Sequence, residues 1–130
     1  MQIHISEEGG VPIYIQIVNQ IKFLVASGRL SADEELPPIR VLAEKLMVNP
    51  NTVARAYREL ETAGIVTKKR TTGTYISDGA SRLSREECVR ILTDRIDALL
   101  VEARQMNIET TEILDLVRQR DEMISQEATR

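Results

Sequence analysis

Apolar residues recur at helical spacing in three stretches of the first half of the chain. The first stretch follows Pro12 and ends at Gly28, the second follows Pro38, and the third follows Asn49 and ends at Gly64. Proline is favoured in the first turn of a helix, asparagine is a favoured N-cap, and glycine is favoured just after the last turn. The pattern therefore predicts three short amphipathic helices, with a tight turn between the second and the third.

Two short runs rich in β-branched residues follow the third helix. They flank three consecutive cations, Lys68, Lys69 and Arg70, and a glycine, Gly73. This order predicts a β-hairpin with a positively charged tip. By contrast, residues 31–35 are polar and are expected to be only a connection between the first two helices.

The second half of the chain carries a heptad pattern. Ser84 is followed three residues later by Glu87, a capping box that predicts the start of a long helix at Ser84. Apolar residues then alternate spacings of three and four, at Val89, Leu92, Ile96, Leu99, Ala103 and Met106. Such a seam favours packing against a partner helix.

A further helix is predicted beyond Asn107, a residue that can adopt the left-handed conformation and end the long helix. It begins at about residue 109 or 110 and runs to about residue 126. The two helices could fold back on the first half of the same chain, or they could pack against a second copy. The heptad spacing favours a homodimer, whose predicted interface residues are Val89, Leu92, Ile96, Leu99, Ala103, Ile113 and Val117.

The net charge of the whole chain hides a local basic patch. The 130 residues carry a formal charge of −3, which argues mildly against a nucleic-acid partner. Residues 1–76, however, have a net charge of +1, and residues 77–130 have a net charge of −4. Between residues 49 and 76 there are five cations and two acids. The positive charge therefore coincides with the third helix and the hairpin.

The outer face of the third helix carries side chains suited to nucleic acid. Asn51, Thr52, Arg55 and Arg58 lie opposite its apolar positions. Such side chains hydrogen-bond to base edges and phosphates in a major groove. Two helices joined by a tight turn are typical of a helix-turn-helix, and the charged hairpin that follows them strengthens the case for DNA binding. The alternative is a winged helix that only binds proteins, for which we would expect an apolar or acidic outer face.

The residues available for catalysis are few. The one histidine, His4, lies near an N-terminus that is expected to be frayed, and the one cysteine is Cys88. The sequence contains no phosphate-binding loop, metal-spaced cluster or catalytic triad, so neither an enzyme nor a cofactor or metal is expected. Cys88 is expected to be a small buried hydrophobe rather than a redox switch. Without a signal peptide or a membrane-spanning run, the chain is expected in the cytoplasm.

A long ordered string of residues carries a family resemblance. It consists of PIY at 12–14, LPPIR at 36–40, VNPNTVARAY at 48–57 and GTYI at 73–76. The string resembles the winged-helix DNA-binding domain of the GntR family of bacterial transcription regulators, and specifically its short YtrA-type subfamily. The expected fold is mainly α with a small β-hairpin. The resemblance implies that residues 1–76 form the DNA-binding domain, residues 77–83 a linker and residues 84–130 a helical dimerisation arm.

The resemblance also implies a function and a set of DNA contacts. The third helix would enter the major groove, and the hairpin, or wing, would enter the adjacent minor groove. By position, the DNA-contacting residues are Arg40, Asn49, Asn51, Thr52, Arg55, Lys69, Arg70, Thr71, Thr72 and Gly73. Asn49 has the alternative role of a helix cap. The family implies a homodimeric repressor that reads a pseudo-palindromic double-stranded operator, often of an operon encoding an ABC-type transporter. We expect no separate effector domain, so an unknown small-molecule effector would bind between the arms.

Overall fold

The structure is a computed structural model that describes residues 1–69 and 73–128. Along this part of the chain, five helices flank one antiparallel hairpin, as the sequence predicts. They are α1 (Ile13–Ala26), α2 (Ile39–Leu46), α3 (Pro50–Thr62), β1 (Val66–Lys69), β2 (Gly73–Ile76), α4 (Ala80–Gln105) and α5 (Thr110–Ala128). The mainly helical winged-helix class is thereby confirmed. The chain forms two compact units, Met1–Arg90 and Ile91–Arg130.

The helix ends follow the predicted local chemistry. After α1, Gly28 has a φ of 82°, and the two amides that follow it donate to the Leu24 carbonyl at 2.9 and 3.1 Å. Before α3, the Asn49 side chain accepts a hydrogen bond of 2.8 Å from the Asn51 amide. Asn107 has a φ of 59° between α4 and α5. Asn49 pairs with an amide that the start of α3 leaves free, and the turn at Gly28 pairs a carbonyl that the end of α1 leaves free. The left-handed conformation of Asn107 turns the chain out of α4.

The core of the first unit is aliphatic. Both α1 and α2 pack against α3, and α3 also contacts β1. Burying each branched aliphatic side chain contributes about 1.5–3 kcal/mol. The largest fully buried side chains are Ile17, Ile21, Val25, Leu36, Leu42, Val53, Leu60, Ile65 and Ile76. Because the inner face of α3 is used in this core, its opposite face is left to solvent.

The hairpin has an additional paired edge that the sequence does not reveal. In the hairpin itself, Val66 is opposite Ile76 and Lys69 is opposite Gly73. On the other side of β2, residues 33–36 form three backbone hydrogen bonds of 2.8 Å with it. The expectation of a simple polar connection is therefore wrong for this segment. Its buried Leu36 anchors it to the core, and β2 supplies the backbone partners.

The long helix α4 begins four residues before the predicted capping box. Its first residue, Ala80, is packed into the core and only 1% exposed, whereas Ser84 is inside the helix and 0% exposed. Ser84 is thus not the N-cap, and the predicted start is wrong. The start is set by packing rather than by capping, since Leu83 also packs on the core. Residues 80–83, assigned to the linker above, form the first turn of α4.

The N-terminal segment is held along α1 and is not frayed. Gln20 accepts from the His4 amide at 2.8 Å and donates to the His4 carbonyl at 2.6 Å. Gln16 forms the same pair with Ser6, at 2.8 and 2.7 Å, and Ile3 is buried in the core. Four helical residues rise about 6 Å and two extended residues about 6.6 Å. Two glutamines one turn apart therefore match alternate residues of an extended segment.

The second unit leaves most of its apolar side chains uncovered. Ala103, which is 1% exposed, and Ile113, which is 8% exposed, are its only buried residues within the described part of the chain. Its exposed large hydrophobic residues are Leu92, Ile96, Leu99, Val101, Met106, Leu114, Leu116, Val117, Met123 and Ile124. Within residues 1–69 and 73–128, no helix is both long and apolar enough to span a membrane.

Candidate nucleic-acid interface

The predicted recognition face lies on the exposed side of α3. Asn51 and Arg55 are exposed one helical turn apart, and Thr52 beside them is half-buried. Arg40 is exposed in the first turn of α2. The buried Tyr57 of α3 donates a 2.7 Å hydrogen bond to the Pro37 carbonyl, two residues before α2 begins. This bond ties the start of α2, and with it the backbone of Arg40, to α3.

Burial raises the pKa of the Tyr57 hydroxyl far above its ordinary value. The charged form is disfavoured because the side chain is removed from water. The hydroxyl therefore stays protonated throughout the physiological range and remains a donor to Pro37. The link between α2 and α3 is independent of pH in that range.

Two of the interface arginines carry uncompensated charge. Arg40 and Arg55 are exposed, and neither forms an ion pair with any carboxylate of the described residues. Arg58, also on the outer face of α3, shares this property. An exposed guanidinium with no acidic partner can approach a phosphate or a guanine without first breaking a salt bridge.

Arg55 is held by an aromatic side chain from another helix. Its guanidinium lies over the ring of Tyr14, 3.8 Å from the ring centre. One of its terminal nitrogens also donates to the Tyr14 hydroxyl at 3.1 Å. Tyr14 is in the first turn of α1, 41 residues earlier in the chain. Sequence reasoning placed Tyr14 in the PIY string of the family resemblance but gave it no role in the interface, since nothing near it in the chain points to Arg55.

The structure describes the base of the wing. Lys69 lies 3.4 Å from an Asp33 carboxylate oxygen and 4.7 Å from the centre of the Tyr75 ring. Gly73 has a φ of 132°, and a Cβ added there would come within 2.7 Å of a Glu35 oxygen. This φ favours glycine, whereas the Glu35 carboxylate is the end of an exposed side chain that can move aside. The other predicted wing contacts, Arg70, Thr71 and Thr72, lie outside the described residues.

Asn49 has a structural role that does not depend on DNA binding. Its side chain caps α3. We expect Asn49→Ala to lower the free energy of unfolding by about 1 kcal/mol, because loss of an N-cap leaves a helix amide without a partner. Urea denaturation measures this change. Asn51→Ala is the matched control, since only the Asn51 backbone takes part in the cap, and it should change stability by less than about 0.5 kcal/mol. Equal losses from both variants would contradict the capping role.

Two further observations concern potential metal ligands and the cysteine. In the described part of the chain, no three His, Cys, Asp or Glu side chains come together as metal ligands. Cys88 is half-buried, and burial raises the pKa of its thiol, with a smaller opposing effect from Lys22. The thiolate, which is the reactive form of cysteine, is therefore disfavoured.

Comparison with known proteins identifies the family. The profile of the family described as "Bacterial regulatory proteins, gntR family" matches residues 13–76. The HTH-type transcriptional repressor YtrA of Bacillus subtilis is 33% identical over 117 residues, which is 90% of this chain and 90% of that protein. The chain belongs to the GntR family. Its likeness to YtrA over nearly the whole length of both proteins places it among the YtrA-type members.

Solved structures of GntR-family proteins agree with this assignment. A GntR family transcriptional regulator from Listeria monocytogenes superposes with a TM-score of 0.72 at 32% identity, covering 86% of this chain and 97% of that one. YtrA from Sulfolobus acidocaldarius, a GntR-family transcription factor, has a TM-score of 0.59 at 34% identity, covering 74% and 97%. This GntR-family protein is therefore a DNA-binding transcription regulator with a winged helix-turn-helix.

Proposed function

We propose that this GntR-family regulator is a dimeric, sequence-specific repressor, with α3 in the major groove and the hairpin in the adjacent minor groove of its operator. The observation that carries the proposal is the outer face of α3, where Asn51 and two arginines without ion pairs in the described part of the chain are exposed together. Asparagine and arginine provide the bidentate contacts that read adenine and guanine. An outer face of this kind is unsuited to an apolar protein partner.

Arg40 and the wing extend this surface. Arg40 stands in the first turn of α2, whose start is tied to α3 through Tyr57. In the wing, Lys68 and Lys69 are exposed on β1, and Arg70 follows them in the sequence. Arginine and lysine are attracted by the negative potential of a narrow minor groove. The proposed roles are therefore base reading by Arg40 and α3, and groove binding by the wing.

A second copy of the chain is the proposed partner of the arm formed by α4 and α5. Its exposed large hydrophobic residues include most positions of the heptad seam, and contiguous exposed apolar surface marks sites of protein association. Of the predicted interface residues, Ala103 and Ile113 are already buried within the single chain. The proposed interface residues that remain exposed are Val89, Leu92, Ile96, Leu99 and Val117. Two-fold symmetry would place two recognition helices on half-sites roughly 34–36 Å apart.

Repression is the proposed sign of regulation, because YtrA of Bacillus subtilis is named a transcriptional repressor. A repressor of this kind acts by occupying its operator, which requires no catalytic group. An operon beside its own gene is the proposed target, with an ABC-type transporter as the class of product that the family resemblance implies.

Binding to the protein's own promoter tests the proposed function. We expect affinity for a duplex from that promoter to exceed affinity for a scrambled duplex by about 1,000-fold or more at physiological salt. Fluorescence anisotropy with both duplexes, over a series of salt concentrations, measures this ratio. Equal binding that disappears with rising salt would leave only non-specific attraction to phosphates. No binding to either duplex would favour the alternative, a winged helix that only binds proteins.

A further inference from the structure

The contact between Tyr14 and Arg55 joins two elements that the sequence does not connect. Tyr14 belongs to α1, which packs against α3, and Arg55 belongs to the solvent-facing side of α3. The ring stacks under the guanidinium at 3.8 Å, and the hydroxyl accepts a hydrogen bond from it at 3.1 Å. These two contacts hold the guanidinium beside the Tyr14 side chain.

An arginine without such support would sample many rotamers in solution. Ordering it on DNA would then cost conformational entropy each time the complex forms. Among the described side chains, Tyr14 is the one that receives a hydrogen bond from Arg55. A guanidinium has five N–H donors, so four remain for a ligand, and a bidentate contact needs two.

We propose that Tyr14 is a positioning residue for operator recognition: it holds Arg55 in the orientation in which the guanidinium meets DNA. This inference rests on the proposed function, since it takes the outer face of α3 as the DNA-reading surface. Tyr14 acts through Arg55 and makes no contact with DNA in this proposal. The first turn of α1 thereby becomes part of the recognition apparatus, although it lies outside the helix-turn-helix and the wing.

A double-mutant cycle tests the proposal with the full-length protein. The variants are Tyr14→Leu, Tyr14→Phe, Arg55→Ala and the two double variants, each titrated with the promoter duplex and with scrambled DNA. We expect Tyr14→Leu to weaken promoter binding by about two- to tenfold, the range set by ordering one long side chain. Tyr14→Phe keeps the ring but loses the hydroxyl and should have a smaller effect. In the Arg55→Ala background neither change at residue 14 should weaken binding further.

Two outcomes would overturn the proposal. If Tyr14→Leu weakens the Arg55→Ala protein as much as it weakens the wild type, Tyr14 acts independently of Arg55. If Arg55→Ala binds the promoter as tightly as the wild type does, Arg55 is not a contact to be positioned. In both cases the proposed function stands if the wild-type protein still binds the promoter duplex more tightly than scrambled DNA. Equal binding of the wild-type protein to both duplexes would refute the proposed function itself.

A spectroscopic measurement distinguishes positioning from a general loss of structure. In the free wild type, the Nε–H of Arg55 should be rigid in ¹⁵N relaxation and shifted by the ring current of Tyr14. Both signatures should be lost in Tyr14→Leu, while the shift should persist in Tyr14→Phe. Tyr14→Phe retains the ring and hence the packing. If Tyr14→Leu fails to fold, the persistence of the ring-current shift in Tyr14→Phe still tests whether the ring lies against Arg55. A mobile Arg55 in the wild type would overturn the proposal.

Discussion

Ile96→Glu is expected to convert the protein into a folded monomer and to lower its affinity for the promoter duplex by about 100- to 10,000-fold, the range by which two linked binding modules exceed one. Ile96 is 54% exposed in the single chain, so a carboxylate there remains hydrated in the monomer. In the proposed dimer the same carboxylate would be buried without a partner, at a cost of several kcal/mol. Analytical ultracentrifugation at micromolar concentration measures the oligomeric state, and anisotropy measures the loss of affinity.

Val101→Glu is the matched control for this experiment. Val101 is an aliphatic residue on the same helix with a nearly equal exposure of 56%, and it lies outside the heptad seam. We expect this variant to remain dimeric and to bind the promoter as the wild type does. A dimeric Ile96→Glu variant, or a monomeric Val101→Glu variant, would show that the seam is not the dimer interface.

Arg40→Ala is expected to weaken promoter binding by about 1–3 kcal/mol, roughly five- to 150-fold, and to relax the preference at one base pair. The physical reason is the loss of a bidentate contact to guanine by a side chain with no ion-pair partner among residues 1–69 and 73–128. Competition with a set of single-base-pair variants of the promoter site measures both effects.

Arg29→Ala controls for the loss of one positive charge. Arg29 is exposed just after α1 and has no part in the proposed interface. It should change the affinity for every duplex by a small and equal factor. If Arg40→Ala also weakens all duplexes equally, Arg40 contacts phosphate and does not read a base.

Local chemistry made much of the DNA-reading half predictable. The proline before α2, the Asn49 cap and the glycine after α1 each act on neighbouring backbone groups, so they can be recognised in a short window of sequence. Amphipathic spacing then predicts which face of α3 is buried and which is exposed. Asn51, Thr52 and Arg55 lie on the face that this spacing leaves outward, whereas Arg40 and the wing residues come from the family resemblance.

The features that sequence reasoning missed depend on contacts between distant residues. Tyr14 acquires its relation to Arg55 only because α1 packs against α3. The segment 33–36 has little β-propensity, and it pairs with β2 through three backbone hydrogen bonds and one isolated bridge because β2 offers unpaired backbone groups beside it. The start of α4 at Ala80 is set by burial of that residue, which overrides the capping box at Ser84.

The sequence by itself determined the helices, the glycine after α1, the Asn49 cap of α3, the hairpin and the polar face of α3, because these depend on interactions within a few residues. Tertiary structure alone decided which side chains support that face, which apolar residues of the arm remain uncovered, and where the N-terminal segment lies. The physical reason is that packing and long-range hydrogen bonds select one partner among many residues of similar chemistry. Gln16 and Gln20 illustrate this choice, since nothing in their own neighbourhood shows that they will hold the N-terminal segment.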